Sequence, residues 1–350
     1  MDTVNIKVLA ERLGLSTSTV SRAFRGNSDI NAKTKQRILD AAAAMGYQPN
    51  LYASSLRDRK SRTIAIIVPE FANNFFSQAI HGIEKVARSK GYHTLIYVTD
   101  DDYEKEAAFV ADIGNGRVEG VVMSVSGEEY QHGYLDVLTK RSIPFVFFDR
   151  YYDDVQATRV TANDYASSYA ATKHLIDNGC KRVAYLVVNK HVSIGKIRLQ
   201  GYLDALRDAG QQYDDDLVVE CTNEKQEIER RLRNAFYNLR PDGVFASVER
   251  LAIAAYRFCH QEGILMPADL KVIGFSSLEI ADLLHPALST ITQPAFDMGV
   301  TAATALFDAL ASGLKSTPDN HLTLESILIE RQSSGAAAGT PNDPKGRTAT

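Results

Sequence analysis

No window of the 350-residue chain approaches the roughly 20 apolar residues that a membrane span needs. The first residues include Asp2, Lys7, Glu11 and Arg12, where a secretory signal would need an uninterrupted apolar core. A cytoplasmic protein with no membrane partner is the expectation. Cysteine is scarce. Cys180, Cys221 and Cys259 are odd in number, far apart and without C-x-x-C spacing, which excludes a disulfide framework or a zinc site and leaves reduced packing residues. Catalytic signatures are missing as well. His174, His191, His260 and His285 stand apart with no H-E-x-x-H, and no G-x-S-x-G, Walker A or G-x-G-x-x-G occurs, so no enzyme, cofactor or metal is expected.

What is present is a length and an apolar fraction, 45% against 23% charged, that suit two or three globular domains. Charge is distributed unevenly. Residues 1–60 hold ten Lys and Arg against five acids, a net of +5, so the remainder carries −9 of the total of −4. A basic head on an acidic body suits a phosphate-binding module joined to a sensor.

The head contains a distinctive stretch from Leu15 to Arg25. A helix from about Lys7 to Leu13, with Val8, Leu9, Leu13 and Leu15 apolar, ends at Gly14, because glycine tolerates the positive φ of such a turn. Ser16 then caps a second short helix, with Thr17, Ser18 and Arg22 on one side and Val20 and Phe24 on the other. Two short helices around a glycine turn make a helix-turn-helix. On its second helix, small hydroxyls and a guanidinium suit base edges in the major groove. A third helix, about Ala32 to Met45, has Ile38, Leu39, Ala42 and Met45 at core spacing and Lys33, Lys35 and Arg37 as candidate phosphate contacts. Asn50 to Arg57 offers two further helical turns, with Asn50 as cap and Ala53 and Leu56 on one side, too short to be stable alone.

Beyond the polar run Asp58 to Arg62, apolar strands alternate with amphipathic helices: Ile64–Val68, Thr94–Val98, Gly120–Met123 and Phe145–Asp149. A second series is read from Val160–Asn163 through Val183–Val188, Leu217–Cys221, Val244–Ser247 and Val272–Phe275. This pattern predicts parallel sheets covered by helices in two α/β lobes, with ligands at the carboxyl ends of the strands. Ser333 to Thr350 has no apolar pattern and is read as a disordered tail; it has no leucine heptad.

Residues 5–60 resemble the DNA-binding headpiece of the LacI/GalR family of bacterial transcription regulators. The resemblance is carried by Ser16, Thr19-Val20-Ser21-Arg22, Gly26, Gly46-Tyr47-Gln48-Pro49-Asn50 and Leu56, and weaker motifs extend it to about Gln332. It implies an all-α helix-turn-helix headpiece (1–49), a hinge helix and linker (50–61), and a two-lobed periplasmic-binding-protein-like α/β domain (62–332) for effector binding and dimerisation. Lobe 1 is placed at about 62–160 plus 293–323 and lobe 2 at about 162–290 plus 325–332, with crossings near Thr161, Ile291 and Leu324. DNA contacts are then expected from Ser16, Thr17, Ser18, Thr19, Ser21, Arg22, Asn50, Ala53 and Leu56, the last as a wedge into the minor groove. For the effector, Phe75, Phe76, Asp149, Gln293 and above all Arg198 in Arg198-Leu199-Gln200-Gly201-Tyr202 match the family's contact positions.

Ser54 stands where many family members carry arginine, and three positions of the effector region also depart from the family pattern. Asn74 stands where proline is usual, Ser276-Ser277 where aspartate follows the strand, and Val248-Glu249 where Asn-Asp is usual, which puts Glu249 and Ser276 in the pocket. The expected function is a homodimeric regulator, acting by repression, that binds a pseudo-palindromic double-stranded operator. Its effector would be a sugar or sugar derivative, with a sugar phosphate or a nucleobase as other candidates. The rival is a cytoplasmic α/β carbohydrate-active enzyme or solute-binding protein with an accessory helical module.

Overall fold

The computed structural model describes residues 5–24, 30–47, 61–127, 131–222 and 224–335. It divides into two compact units, residues 1–61 and 62–350. Asn50, Ala53, Ser54 and Leu56, in the expected hinge, lie outside the described residues.

The first unit is three helices: α1 (Ile6–Leu13), α2 (Thr17–Phe24) and α3 (Ala32–Ala44). Asn5 starts α1 by accepting from the Lys7 and Val8 amides, and Gly14, at φ +64, ends it. Leu9, Ala10, Leu13, Val20, Ala23, Ile38 and Ala42 form the core, with Ile6, Leu15, Phe24, Met45 and Tyr47 packed around them. Two expected core residues are instead at the surface. Val8 is 43% exposed and Leu39 36% exposed, because with Leu9 and Ile38 facing the core a 100° step per residue turns these two sides of the helices to solvent. Arg37 is also partly committed elsewhere: its guanidinium donates to the Leu13 carbonyl at 3.0 Å and closes the carboxyl end of α1.

The second unit holds two six-stranded sheets. The first comprises β1 (Thr63–Val68), β2 (His93–Val98), β3 (Gly120–Met123), β4 (Phe145–Phe148), β5 (Thr158–Ala162) and β11 (His321–Leu324), in the order β11-β5-β4-β3-β1-β2 and all parallel. Side-chain alternation splits its core. Ile64, Ile66 and Val68 face α4 (Asn74–Ser89) and α11 (Ala295–Ala311), while Ala65 and Ile67 face α5 (Tyr103–Ile113) and α6 (Asp136–Arg141). β5 therefore closes the first lobe and does not begin the second: its ladder runs from Thr158 opposite Val146 to Val160 opposite Phe148.

The second sheet comprises β6 (Val183–Val187), β7 (Val218–Glu220), β8 (Gly243–Ala246), β9 (Lys271–Phe275), β10 (Ser289–Thr292) and β12 (Ile327–Ile329), in the order β12-β10-β9-β8-β6-β7. Only β12 among them runs antiparallel to its neighbour. Helices α7 (Asp164–Asp177) and α8 (Ser193–Asp208) cover one face, and α9 (Lys225–Leu239) and α10 (Glu249–Glu262) cover the other. The chain changes sheet after Ala162, after Thr292 and after Leu324.

Ser333 and Ser334 belong to this fold and not to a tail. Both are fully buried: Ser333 Oγ donates to the Val272 carbonyl at 2.6 Å, and Ser334 Oγ meets His174 Nε2 at 2.7 Å and Ser289 Oγ at 2.6 Å. Small hydroxyls without an apolar pattern look like tail in a sequence, yet here they satisfy buried backbone and side-chain groups. Residues 336–350 lie outside the described residues.

Candidate ligand cleft and nucleic-acid interface

Parallel strands place their carboxyl ends along one edge of each sheet, and loops from those ends meet between the lobes. Glu70 follows β1, Asp149 and Arg150 follow β4, Glu249 and Arg250 follow β8, Ser276 and Ser277 follow β9, and Gln293 follows β10. Together with Phe75, Phe76, Ile194, Arg198 and Phe275 they line a narrow cavity of about 40 Å³. All seven residues proposed from sequence for an effector, Phe75, Phe76, Asp149, Arg198, Glu249, Ser276 and Gln293, are on its wall.

Arg198 is already heavily engaged. Its Nε and Nη2 each lie 2.7 Å from Asp164 Oδ1, its Nη1 donates to the Ser247 carbonyl at 2.7 Å, and the guanidinium sits 3.7 Å from the Phe275 ring centroid. Three of its five N–H groups are thus taken and two remain. Asp164, the partner missed in the sequence, opens α7 directly after the first lobe crossing and is as buried as Arg198. Nothing in a lone Asn163-Asp164 pair announces that role.

Asp149 holds a left-handed backbone, φ +62, just past the end of β4. Burial lifts its carboxyl pKa to about 6, against the lowering effect of the nearby Arg198 and Arg150 guanidiniums. Arg150 turns mainly to Asp101, and its Nε stays 3.9 Å from Asp149. Phe75 and Phe76 meet edge to face at 5.1 Å, their amides accepted by Asn73 at the start of α4. Both belong to the core of the first lobe while touching the cavity, so neither the stacking nor the core reading displaces the other. Three polar atoms in buried cavity residues have no hydrogen-bond partner: Gln293 Nε2, Ser277 Oγ and Arg150 Nε.

The three effector-region departures from the family pattern meet. Glu249 Oε1 accepts from Asn74 Nδ2 at 2.5 Å, and its Oε2 accepts from Ser276 Oγ at 2.7 Å and from the Ser277 amide at 3.0 Å. Next to it, Arg250 pairs with Glu70 and lies 4.0 Å from Asp101, both on the first lobe.

In the helical unit, Ser16 lies at the start of α2. Its Oγ accepts the Thr19 amide at 3.2 Å and also meets the Ser18 and Thr19 hydroxyls at 2.7 and 2.9 Å. Ser16, Thr17, Ser18 and Arg22 are exposed, and Thr19 and Ser21 are half-buried. These six therefore share the accessible side of α2, away from Val20 and Ala23.

One hydroxyl–imidazole–carboxylate array exists among the described residues, Ser334–His174–Glu330, with His174 Nδ1 3.3 Å from Glu330. Its serine has no exposed surface, so it fastens the chain end and offers no nucleophile to a substrate.

Two family profiles match the chain: "Bacterial regulatory proteins, lacI family" over residues 5–50 and "Periplasmic binding protein-like domain" over residues 172–334. The ribose operon repressor of Haemophilus influenzae is 28% identical over 331 residues, 94% of this chain and 98% of that protein. Among solved structures, the transcriptional regulator CelR–cellobiose complex superposes with a TM-score of 0.69 at 25% identity, covering 94% of this chain and 99% of that one. The lac repressor dimer bound to operator and the anti-inducer ONPF gives a TM-score of 0.83 at 21% identity, over 96% and 100%, which speaks to the fold. With the helix-turn-helix and the two-lobed α/β domain in that order along one chain, the protein belongs to the LacI family of bacterial transcription regulators.

Proposed function

We propose that the protein is a repressor that binds a pseudo-palindromic operator as a homodimer and releases or tightens on it when an uncharged, hydroxyl-rich effector of the sugar class enters the cleft. The observation that carries the effector reading is the charge balance of the cavity. Each of its three guanidiniums has its own carboxylate: Arg198 has Asp164, Arg150 has Asp101 and Arg250 has Glu70. No surplus positive charge is left for a phosphate or a carboxylate ligand. The donors of Gln293 and Arg150 and the Ser277 hydroxyl instead call for neutral oxygens, and Asp149 supplies an acceptor for hydroxyls. The names of the relatives agree with this chemistry, one a ribose operon repressor and one a complex with cellobiose.

On the DNA side, Thr17, Ser18 and Arg22 read base edges, Ser16 and Thr19 lie near phosphates, Leu56 opens the minor groove, and Ser21, Asn50 and Ala53 add further DNA contacts. Two-fold symmetry in the dimer requires a near-symmetric site. The test is a salt-controlled selection of DNA sites by the purified protein, followed by titration of the recovered site with neutral sugars, sugar phosphates and nucleobases. A palindrome that Arg22→Ala and Leu56→Ala no longer prefer, Arg22→Ala losing about 1–3 kcal/mol of discrimination, together with a response to neutral sugars alone, is the expected result. Sequence-blind binding would sink the operator claim, and a response confined to phosphorylated sugars would sink the effector claim.

A further inference from the structure

We infer that Glu249 is a positioning residue that clasps the two lobes together across the cleft, holding Asn74 of the first lobe against Ser276 and Ser277 of the second. Asn74 is the first residue of α4, whereas Glu249 opens α10 and Ser276 follows β9. The carboxylate is therefore the middle of a bridge. One oxygen takes the Asn74 amide from the opposite lobe, and the other takes the Ser276 hydroxyl and the Ser277 amide of its own lobe. A second cross-lobe bond lies beside it, from Gln78 Nε2 to the Ser277 carbonyl at 3.2 Å. Arg250 adds a third, to Glu70 and Asp101.

The three residues depend on one another chemically. Ser276 and Asn74 are neutral donors that need an acceptor, and Glu249 supplies it from the neighbouring strand end. The carboxylate at the start of α10, one methylene longer than the aspartate usual there, reaches across the cleft. There its charge is held by three donors and by the amino end of a helix. Hydrogen bonds to a charged group of this kind favour the closed over the open arrangement by about tenfold to a hundredfold. Closure then rests on the protein's own bonds, and an effector entering the cleft meets lobes already set at the closed spacing, which raises its affinity. That last consequence rests on the cleft being the effector site; the clasp itself does not.

The clasp is tested on the full chain without DNA or ligand, by electron–electron distance measurement between nitroxides on Glu104→Cys and Lys225→Cys, one on each lobe. Cys180, Cys221 and Cys259 are buried and do not compete for label. With the doubly labelled chain diluted into an excess of unlabelled chain, so that a dimer carries at most one labelled protomer, the parent should give one narrow distance. Asn74→Asp sets a second carboxylate against Glu249 and should shift or broaden that distance, with the closed fraction falling at least about tenfold. Adding Glu249→Gln to Asn74→Asp restores a donor–acceptor pair and should restore the narrow distance, which a merely structural defect would not do. The inference is overturned by a broad parent distribution, by Asn74→Asp and Asn74→Asp with Arg250→Ala both keeping the parent distance, or by failure of Glu249→Gln to reverse the change. Since neither operator nor effector is in the sample, these outcomes are independent of whether the operator selection succeeds.

Discussion

Asp149 binds its proton more tightly in the folded chain than in the unfolded one, with a pKa of about 6 against an ordinary 3.8, chiefly because it is buried. Between those two values the native state holds the extra proton, so stability falls as pH rises from about 4 to about 6 and levels off above. The shift corresponds to about 3 kcal/mol. Urea midpoints of the parent and of Asp149→Asn, compared from pH 4 to pH 8, should diverge over that window, the substituted chain lacking this part of the slope; parallel curves would contradict the assignment. At this scale the sequence was informative where a residue follows an apolar strand, as Asp149 and Ser276 do, or sits in a family segment, as Arg198 does. It was silent on Asp164, Asp101 and Glu70, the carboxylates that neutralise the three arginines. Their partners are 34 to 180 positions away along the chain, and no spacing rule links them.

Helices α4 and α11 approach closely because each presents a glycine to the other's backbone. A Cβ on Gly299 would lie 2.0 Å from the Ala79 carbonyl oxygen, and one on Gly82 would lie 2.2 Å from that of Phe296. Gly→Ala in a helix interior ordinarily gains about 1 kcal/mol. Here the clash is with backbone and cannot be relieved by a rotamer, so Gly299→Ala should destabilise by about 1–3 kcal/mol or more, read as a lower midpoint in thermal or urea unfolding. A raised midpoint would mean that the two helices can separate without loss. Long apolar strands such as β1 and β4 and amphipathic helices such as α4 were legible because each carries its own period. Strands β11 and β12 were not: they are three or four residues long, and most of their side chains are exposed or half-exposed, so no apolar run marks them.

Each lobe obtains its last strand from the far end of the chain, β11 for the first sheet and β12 for the second. The segment after β12 is fastened as firmly as a strand. A chain stopped after Gln332 loses the bonds that Ser333 and Ser334 make to Val272, Ser289 and His174, leaving several buried groups unsatisfied at about 1–3 kcal/mol each. Such a chain should melt well below one stopped after Gly335, and equal melting temperatures would show that water replaces those bonds without loss. The two-lobed plan was readable from the repeated strand–helix alternation, and the family resemblance put the first crossing near Thr161, beside the observed change after Ala162; what the alternation alone did not tell is which sheet β5 joins, because it looks the same in either. The strand order also has a consequence in time. The helical unit has all its core residues by Tyr47, whereas neither sheet has its full set of strands until β11 and β12 emerge some 275 positions later. At about 5–20 residues per second, a nascent chain on the ribosome carries a finished DNA-reading unit for roughly a quarter of a minute to a minute before the sensing half can close.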